Sequence, residues 1–276
     1  MPFHLTLPYI LLLPLLGAAV AAIGTLAGLG GGFILVPILL VLFPDEPPTT
    51  ITTISLTVVF LNAASATAGN LRARRIDRRT SLLMLLGAVP AAIAGSIVAS
   101  SVSRDRFEIY LGILLLVGAV YILWRSARAA PLATGAAHDP NRRIQERRGA
   151  LHVFYVNGLL AGIISPAAGF VSSFFGIGGG VIHVPALTFL LKVPFRIATA
   201  TSLLVLVATS FTALLTLIAS GEAQHGWRRA GLLGLGALAG AQAGIYLAPR
   251  IPARLVLLVV AVALALVGLR QLLAAS

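Results

Sequence analysis

Gly28-Leu29-Gly30-Gly31-Gly32 runs into Phe33-Ile34-Leu35-Val36 and then Pro37, inside an otherwise apolar amino-terminal region. Three consecutive glycines are ill suited to a helix interior. Each costs about 1 kcal/mol relative to alanine and offers no side chain to pack. The chain makes the same choice again at Gly176-Ile177-Gly178-Gly179-Gly180, followed by Val181-Ile182-His183-Val184 and Pro185. Both copies read Gly-x-Gly-Gly-Gly, four residues, proline. They mark two related breaks in two apolar helices.

The surroundings of the breaks define the class. Of 276 residues, 58% are hydrophobic and only 10% charged, against about 25% charged in ordinary soluble domains. Mean hydropathy is +1.00. Apolar runs close to twenty residues recur along the chain, as in a polytopic α-helical membrane protein, and they lack the period-two alternation of a membrane β-barrel. The formal charge of +12 comes from arginines placed between apolar runs. They read as topology determinants facing anionic lipid, and no aromatic-basic interleaving suggests nucleic acid. The absence of cysteine excludes disulfides, thiolate metal sites and cysteine nucleophiles. No cofactor or metal is implied. The first apolar run, about residues 7–27, has no basic segment before it and reads as a retained helix, not a cleaved signal.

Taken in order, the first half has a helix near 7–27, the break, and a short apolar segment from Phe33 to Phe43. That segment would be only about 16 Å long as a helix, too short to cross a bilayer unaided. Pro44-Asp45-Glu46-Pro47-Pro48 stops it. Helices near 50–71, 80–101 and 107–124 follow, with a basic loop from Arg72 to Arg79 and a shorter one around Arg104. Residues 128–150 form a hydrophilic linker expected to be cytoplasmic and to have no fold of its own. The second half, residues 151–276, repeats the order of residues 1–127: a helix near 151–175, the break, a short segment to Leu191, and a proline turn. Thr199-Ala200-Thr201-Ser202 falls where Thr52-Thr53-Ile54-Ser55 fell, about one residue out of register. Gly236, Gly240 and Gly244 match Gly87, Ala91 and Gly95, a small-residue stripe that allows close helix approach in lipid. The expectation is an all-α polytopic membrane protein made of two homologous repeats. Each has about four transmembrane helices plus a Gly-broken short helix. Arginine placement makes the Arg72–Arg79 loop and the linker cytoplasmic; for the second half it leaves inverted and parallel repeats open, with a slight lean to inverted.

A break at membrane depth is tolerated where the freed backbone lines protein or a water-filled cavity. Each break frees N–H groups at the start of the following half-helix, which favours an anion. Gly30, Gly31, Gly32 and Phe33 in one copy, and Gly178, Gly179, Gly180 and Val181 in the other, are therefore the candidate binding backbone. Thr53 and Ser55, with Thr201 and Ser202, offer hydroxyls beside the breaks, or else serve only local bonding within their helices. Asn62 is an amide deep in an apolar helix and needs a partner. His183 stands where the first copy has Leu35, and is either a proton-coupling group or anion ligand, or a neutral histidine bonded to a carbonyl. Gln242 reads as a helix–helix contact.

No Asp or Glu lies inside an apolar run. Midplane carboxylate relays and cation sites are thus unsupported, and the expected substrate is a small anion. The same absence argues against intramembrane metallo- or aspartyl proteases, and Gly-x-Ser-x-Gly is missing, so no enzyme is expected.

With these motifs laid out, the chain resembles the TauE/SafE family of sulfite and organosulfonate permeases. The resemblance rests on Gly28–Gly32 through Pro37, Phe175–Gly180 through Pro185, the Thr/Ser-rich helix starts and the arginine loops after them. It implies a bacterial-type inner-membrane transporter of about eight helices, moving small sulfur-containing anions or carboxylates, commonly outward. The lack of cysteine speaks against a cysteine relay of the thiosulfate type. The reading is a secondary transporter of sulfite or organosulfonates, with export and proton coupling expected. Its alternatives are a passive anion channel and a non-transporting membrane scaffold.

Overall fold

The computed structural model describes residues 7–128, 141–147 and 149–274. Ten helices and one short hairpin appear among them. They are α1 (Leu7–Ala27), α2 (Gly32–Leu42), α3 (Pro48–Arg72), α4 (Arg78–Ala99), α5 (Arg104–Arg128), β1 (Arg142–Gln145), β2 (Leu151–Phe154), α6 (Gly158–Phe175), α7 (Gly180–Pro185), α8 (Phe195–Ala219), α9 (Trp227–Leu247) and α10 (Ala253–Ala274). A π-helical segment, Ala186–Leu190, extends α7. Seven helices (α3, α4, α5, α6, α8, α9 and α10) are long and apolar enough to cross a membrane. Large apolar side chains such as Leu86, Val120, Leu159 and Leu266 point outward on them, as lipid contact requires. The protein is an all-α, multi-pass membrane protein.

Small residues fix which helices touch and in which direction they run. A Cβ at Gly236 would overlap the carbonyl of Pro14, and one at Gly240 that of Ala18; one at Gly244 would lie 2.7 Å from the Ala22 oxygen. Residue numbers rise together along this seam, so α1 and α9 are parallel. The α4–α6 seam is also parallel, with Gly87 on Pro166, Gly169 on Ala88 and Gly95 on Phe170. Helix α3 runs with α9: Gly226 meets Ile54, Gly234 meets Leu61 and Gly69 meets Ile245. Gln242 donates from Nε2 to both the carbonyl and the hydroxyl of Ser65 (2.9 and 2.8 Å), the helix–helix contact expected of it. Helices α5 and α10 are antiparallel, with Gly112 against Gly268 and Gly118 against Leu264.

These seams give every element a direction. Helix α1 crosses the bundle, and α2 turns back to the end from which α1 started. There Arg104, at the start of α5, donates to the carbonyls of Leu40, Phe43 and Glu46. Helix α6 crosses the opposite way, and α7 with its π-helical extension returns to the other end, where Leu187, Leu191 and Val193 pack on Phe154 and Val156 beside the hairpin. Both short segments are re-entrant. Element for element, α6–α10 run opposite to α1–α5. The end carrying the α3–α4 loop, the hairpin and the α7–α8 and α9–α10 turns holds Arg72, Arg74, Arg75, Arg78, Arg79, Arg142, Arg143, Arg147, Lys192, Arg196, Arg250 and Arg254. The opposite end holds Arg104, Arg106, Arg228, Arg229 and Arg270.

One expectation is corrected. The linker has a fold of its own where it is described: β1 and β2 pair antiparallel, Arg142 with Phe154 and Gln145 with Leu151. The hairpin docks on the α3–α4 loop through Glu146 to Arg75 (2.8 Å), Arg142 to Asp77 (3.2 Å) and the Arg147 N–H to the Ala73 carbonyl (3.0 Å). The second-half helix expected from 151 starts only at Gly158, with Asn157 accepting from the Leu160 N–H as its N-cap. Linker residues 129–140 lie outside the described residues.

Candidate functional site

Each break is built the same way up to its third residue. Gly28 and Gly30 have φ of 72° and 76°, Gly176 and Gly178 have 67° and 78°, all in the left-handed region open to glycine. The copies then diverge: Gly31 is left-handed at φ 83°, whereas Gly179 is right-handed at −60°. The two breaks meet backbone to backbone. A Cβ on Gly32 would overlap the Ile177 peptide, and one on Gly180 the Gly28 carbonyl and Leu29 Cα. Gly30 and Gly178 face the same two side chains, Val59 of α3 and Leu206 of α8. Those residues lie at the middle of two 25-residue helices, so the meeting point is at mid-depth.

The amide N–H groups of Gly32 and Phe33, and of Gly180 and Val181, have no hydrogen-bond partner among the described residues. These are the first donors of α2 and α7, orphaned by helix geometry. The side chains around them hold the breaks by their carbonyls. Ser55 Oγ donates to the Gly176 carbonyl (2.6 Å) and Ser202 Oγ to the Gly28 carbonyl (3.1 Å). Asn62 Nδ2 donates to the Gly30 carbonyl (2.9 Å), and Thr25 Oγ1 donates to Asn62 Oδ1 (2.8 Å), which fixes the amide's orientation.

Gly30, Gly32, Gly178, Gly180, Ser55, Asn62 and Ser202 are thus brought together. Gly31 packs beside them on the Val20 carbonyl. Thr53 turns away and bonds the Thr49 carbonyl of its own helix, and Thr201 accepts the Asp77 N–H at the basic end. Phe33 and Val181 are buried in the main apolar core, which also holds Leu35, Leu39 and Val184. His183 is fully buried, and neither ring nitrogen has a partner. Its Nδ1 lies 3.1 Å from where a Gly179 Cβ would stand. Ser172 and Ser173 of α6, Thr188, and Thr52 of α3 also carry buried hydroxyls without partners. Thr209, aligned with Asn62, bonds its own helix.

The sequence reading missed Val59, Leu206 and Thr25. The first two were detectable only through spacing: each lies seven residues after Thr52 or Thr199, and those threonines pack on Gly176 and Gly28 respectively. Among the described residues no group of His, Asp and Glu could hold a metal ion.

A family model described as "Sulfite exporter TauE/SafE" matches residues 13–271. The chain belongs to the TauE/SafE family. It is 27% identical over 264 residues to "Probable membrane transporter protein YunE" of Bacillus subtilis, covering 93% of this chain and 95% of that one. It is 30% identical over 225 residues to "Probable membrane transporter protein MJ0441" of Methanocaldococcus jannaschii, covering 78% and 76%. No solved structure matches. TauE/SafE membership and these relatives identify a membrane transporter, not an enzyme. Its partners are therefore a small-molecule substrate and the lipid bilayer.

Proposed function

We infer that this TauE/SafE protein is a secondary transporter of small anions, sulfite or an organosulfonate, working in the export direction. The observation that carries the reading is the meeting of two re-entrant breaks at mid-depth, each presenting unpaired amide N–H groups at a helix start. Paired half-helix starts of this kind favour a negatively charged group. The described carboxylates lie at the two ends of the bundle, so none offsets that polarity. Backbone N–H groups suit the three oxygens of a sulfite or sulfonate, which accept hydrogen bonds without needing a full countercharge.

The reversed directions of α6–α10 support a duplicated, inverted unit, α1–α5 and α6–α10. The twelve basic residues at one end support placing that end, with the hairpin, in the cytoplasm. Alternating access then rocks one unit against the other about Gly30, Gly178, Val59 and Leu206, which close the middle in this conformation. His183, buried and unpartnered beside the second break, is the group we assign to proton coupling.

A ligand screen by thermal unfolding in detergent tests the substrate class. Sulfite, sulfoacetate, isethionate, taurine, sulfate and small carboxylates are compared at two pH values. A bound anion raises the unfolding temperature with concentration over Kd. Stabilisation by sulfite or a sulfonate supports the reading; stabilisation by carboxylates alone, or by none, contradicts it.

A further inference from the structure

Away from the breaks, at the basic end, a cavity of about 650 Å³ opens between the ends of α3 and α9 and the docked hairpin. Its volume is in the range of small-ligand pockets. Three arginines line it: Arg72 and Arg75 from α3 and its loop, and Arg147 from the hairpin. The side chain of Arg75 is only 8% exposed. A buried guanidinium needs a partner, and it makes one bond among the described residues, from Nε to Glu146 Oε2. Its two terminal nitrogens have no partner among the described residues. The side chains of Arg72 and Arg147 make no hydrogen bond or ion pair among the described residues either.

The one carboxylate in the lining does not oppose an anion. Glu146 uses Oε2 on Arg75 and Oε1 on His152 Nε2 (2.9 Å), so both of its oxygens are already engaged. What remains toward the opening is an excess of guanidinium donors, the geometry suited to a phosphate-type oxyanion. Apart from Gln242, which bonds Ser65, the rest of the wall is largely apolar. Ile245, Tyr246 and Pro249 of α9 and its following turn close the other side. Tyr246 is 64% exposed and carries the Arg250 guanidinium over its ring at 3.9 Å, an arrangement typical of the membrane–water boundary. Leu235 and Leu238, earlier in α9 and so nearer the bundle middle, are exposed, and Leu71 of α3 is exposed at the level of the cavity.

We propose that this cavity is a binding site for a phosphate-type oxyanion, held by Arg72, Arg75 and Arg147 against the apolar wall of α9. None of its lining residues belongs to the breaks. The position at the boundary, with exposed leucines beneath, favours a lipid headgroup as the source over free phosphate. Because the hairpin supplies Arg147 and the Glu146 that holds Arg75, the ligand also ties the hairpin to α3 and α9.

The test is thermal unfolding of the full chain in phosphatidylcholine nanodiscs. One arm adds phosphatidylglycerol to about a fifth of the lipid; the other adds inorganic phosphate against sodium chloride of equal ionic strength. The wild type should unfold several degrees higher in at least one arm, and Arg72→Ala/Arg147→Ala should lose most of that rise. A rise with phosphatidylglycerol alone assigns the site to lipid; a rise with inorganic phosphate assigns it to a soluble anion. Arg147→Glu, confined to the exposed hairpin, should also lose the rise and keeps the test open if the double variant fails to fold. No rise in either arm, or equal rises in wild type and a folded variant, overturns the proposal.

Discussion

Val59 of α3 and Leu206 of α8 close from opposite helices on the same pair of glycines, Gly30 and Gly178. Two apolar side chains at mid-depth, packed on two break backbones, make a dry constriction where the anion would pass. Leu206→Ala removes most of one wall. It should lower stability by about 2–5 kcal/mol, as leucine truncations in packed sites do. It should also raise passive, pH-independent anion leak through reconstituted vesicles. Leak equal to the wild type in a folded Leu206→Ala sample would show that these residues do not bound the path.

Ser55 and Ser202 hold the breaks in place by donating to the Gly176 and Gly28 carbonyls. Replacing either with alanine leaves a buried carbonyl short of one donor, at a net cost of about 0.5–1.5 kcal/mol. The two bonds brace one junction from two sides. The double variant should therefore lose more transport than the product of the single effects, measured as initial efflux rates at matched protein density. Independent, multiplicative losses would show that the bonds do not act on a shared structure.

The two breaks should respond differently to a methyl group. Gly31 is left-handed at φ 83°, and a Cβ there would lie 2.9 Å from the Val20 carbonyl, so Gly31→Ala combines backbone strain of about 1–2 kcal/mol with a rigid clash. Gly179 is right-handed, so a side chain there adds no left-handed strain, and its Cβ would stand 3.1 Å from His183 Nδ1 and 3.2 Å from the Ala168 carbonyl, a tight fit without a hard overlap. Gly179→Ala should lose less stability than Gly31→Ala and change the pH response of transport. Unfolding temperatures and pH–rate profiles of the two variants distinguish these outcomes; equal destabilisation by both would contradict the asymmetry.

Hairpin docking should depend on pH through Glu146. Burial alone would raise its pKa, but the hydrogen bonds and charges of Arg75 and His152 outweigh this and hold it below its ordinary 4.5. A carboxylate with a depressed folded pKa adds stability that is fully present above the unfolded value. That stability is lost as pH falls through the folded one. Wild type should therefore unfold higher than Glu146→Gln at pH 7, and the gap should shrink only below about 4.5. A gap independent of pH down to acid unfolding would mean that the ion pairs do not hold the hairpin.

The chain's lack of cysteine makes its topology easy to probe. A cysteine replacing Gln224, in the α8–α9 loop, should react with an impermeant maleimide on intact cells. One replacing Arg143, on β1, should react only after permeabilisation. The reverse pattern would place the hairpin outside.

The breaks were legible in sequence because three glycines in an apolar run contradict helix physics, and the contradiction occurs twice. Family membership followed from the same residues. Asn62 was legible as an amide that needs a partner, and Ser55 and Ser202 as hydroxyls beside the breaks, but none of them as a donor to a break carbonyl. Their partners lie 121, 174 and 32 residues away, beyond any local pattern. Val59 and Leu206 carry no chemical mark among dozens of aliphatic neighbours. The hairpin escaped because Arg142-Arg143-Ile144-Gln145 has one apolar residue in four. It is held by distant contacts, among them Glu146 to Arg75, 71 positions back, and Arg142 to Asp77. Charge also became decisive only once packing gave each helix a direction: the arginines then separate to two ends that the sequence alone left ambiguous.

Sulfite and sulfonate flux in proteoliposomes, comparing wild type with Gly178→Leu, tests the proposed pathway most directly. Gly178 has a positive φ, and a Cβ there would sit 3.1 Å from both the Leu29 carbonyl and Leu206 Cδ2, so a leucine obstructs the meeting point of the breaks. The wild type should move at least one of these anions in response to a pH gradient. Gly178→Leu, inserted and monodisperse at the same density, should move none. Undiminished flux in that variant would contradict a pathway between the two breaks.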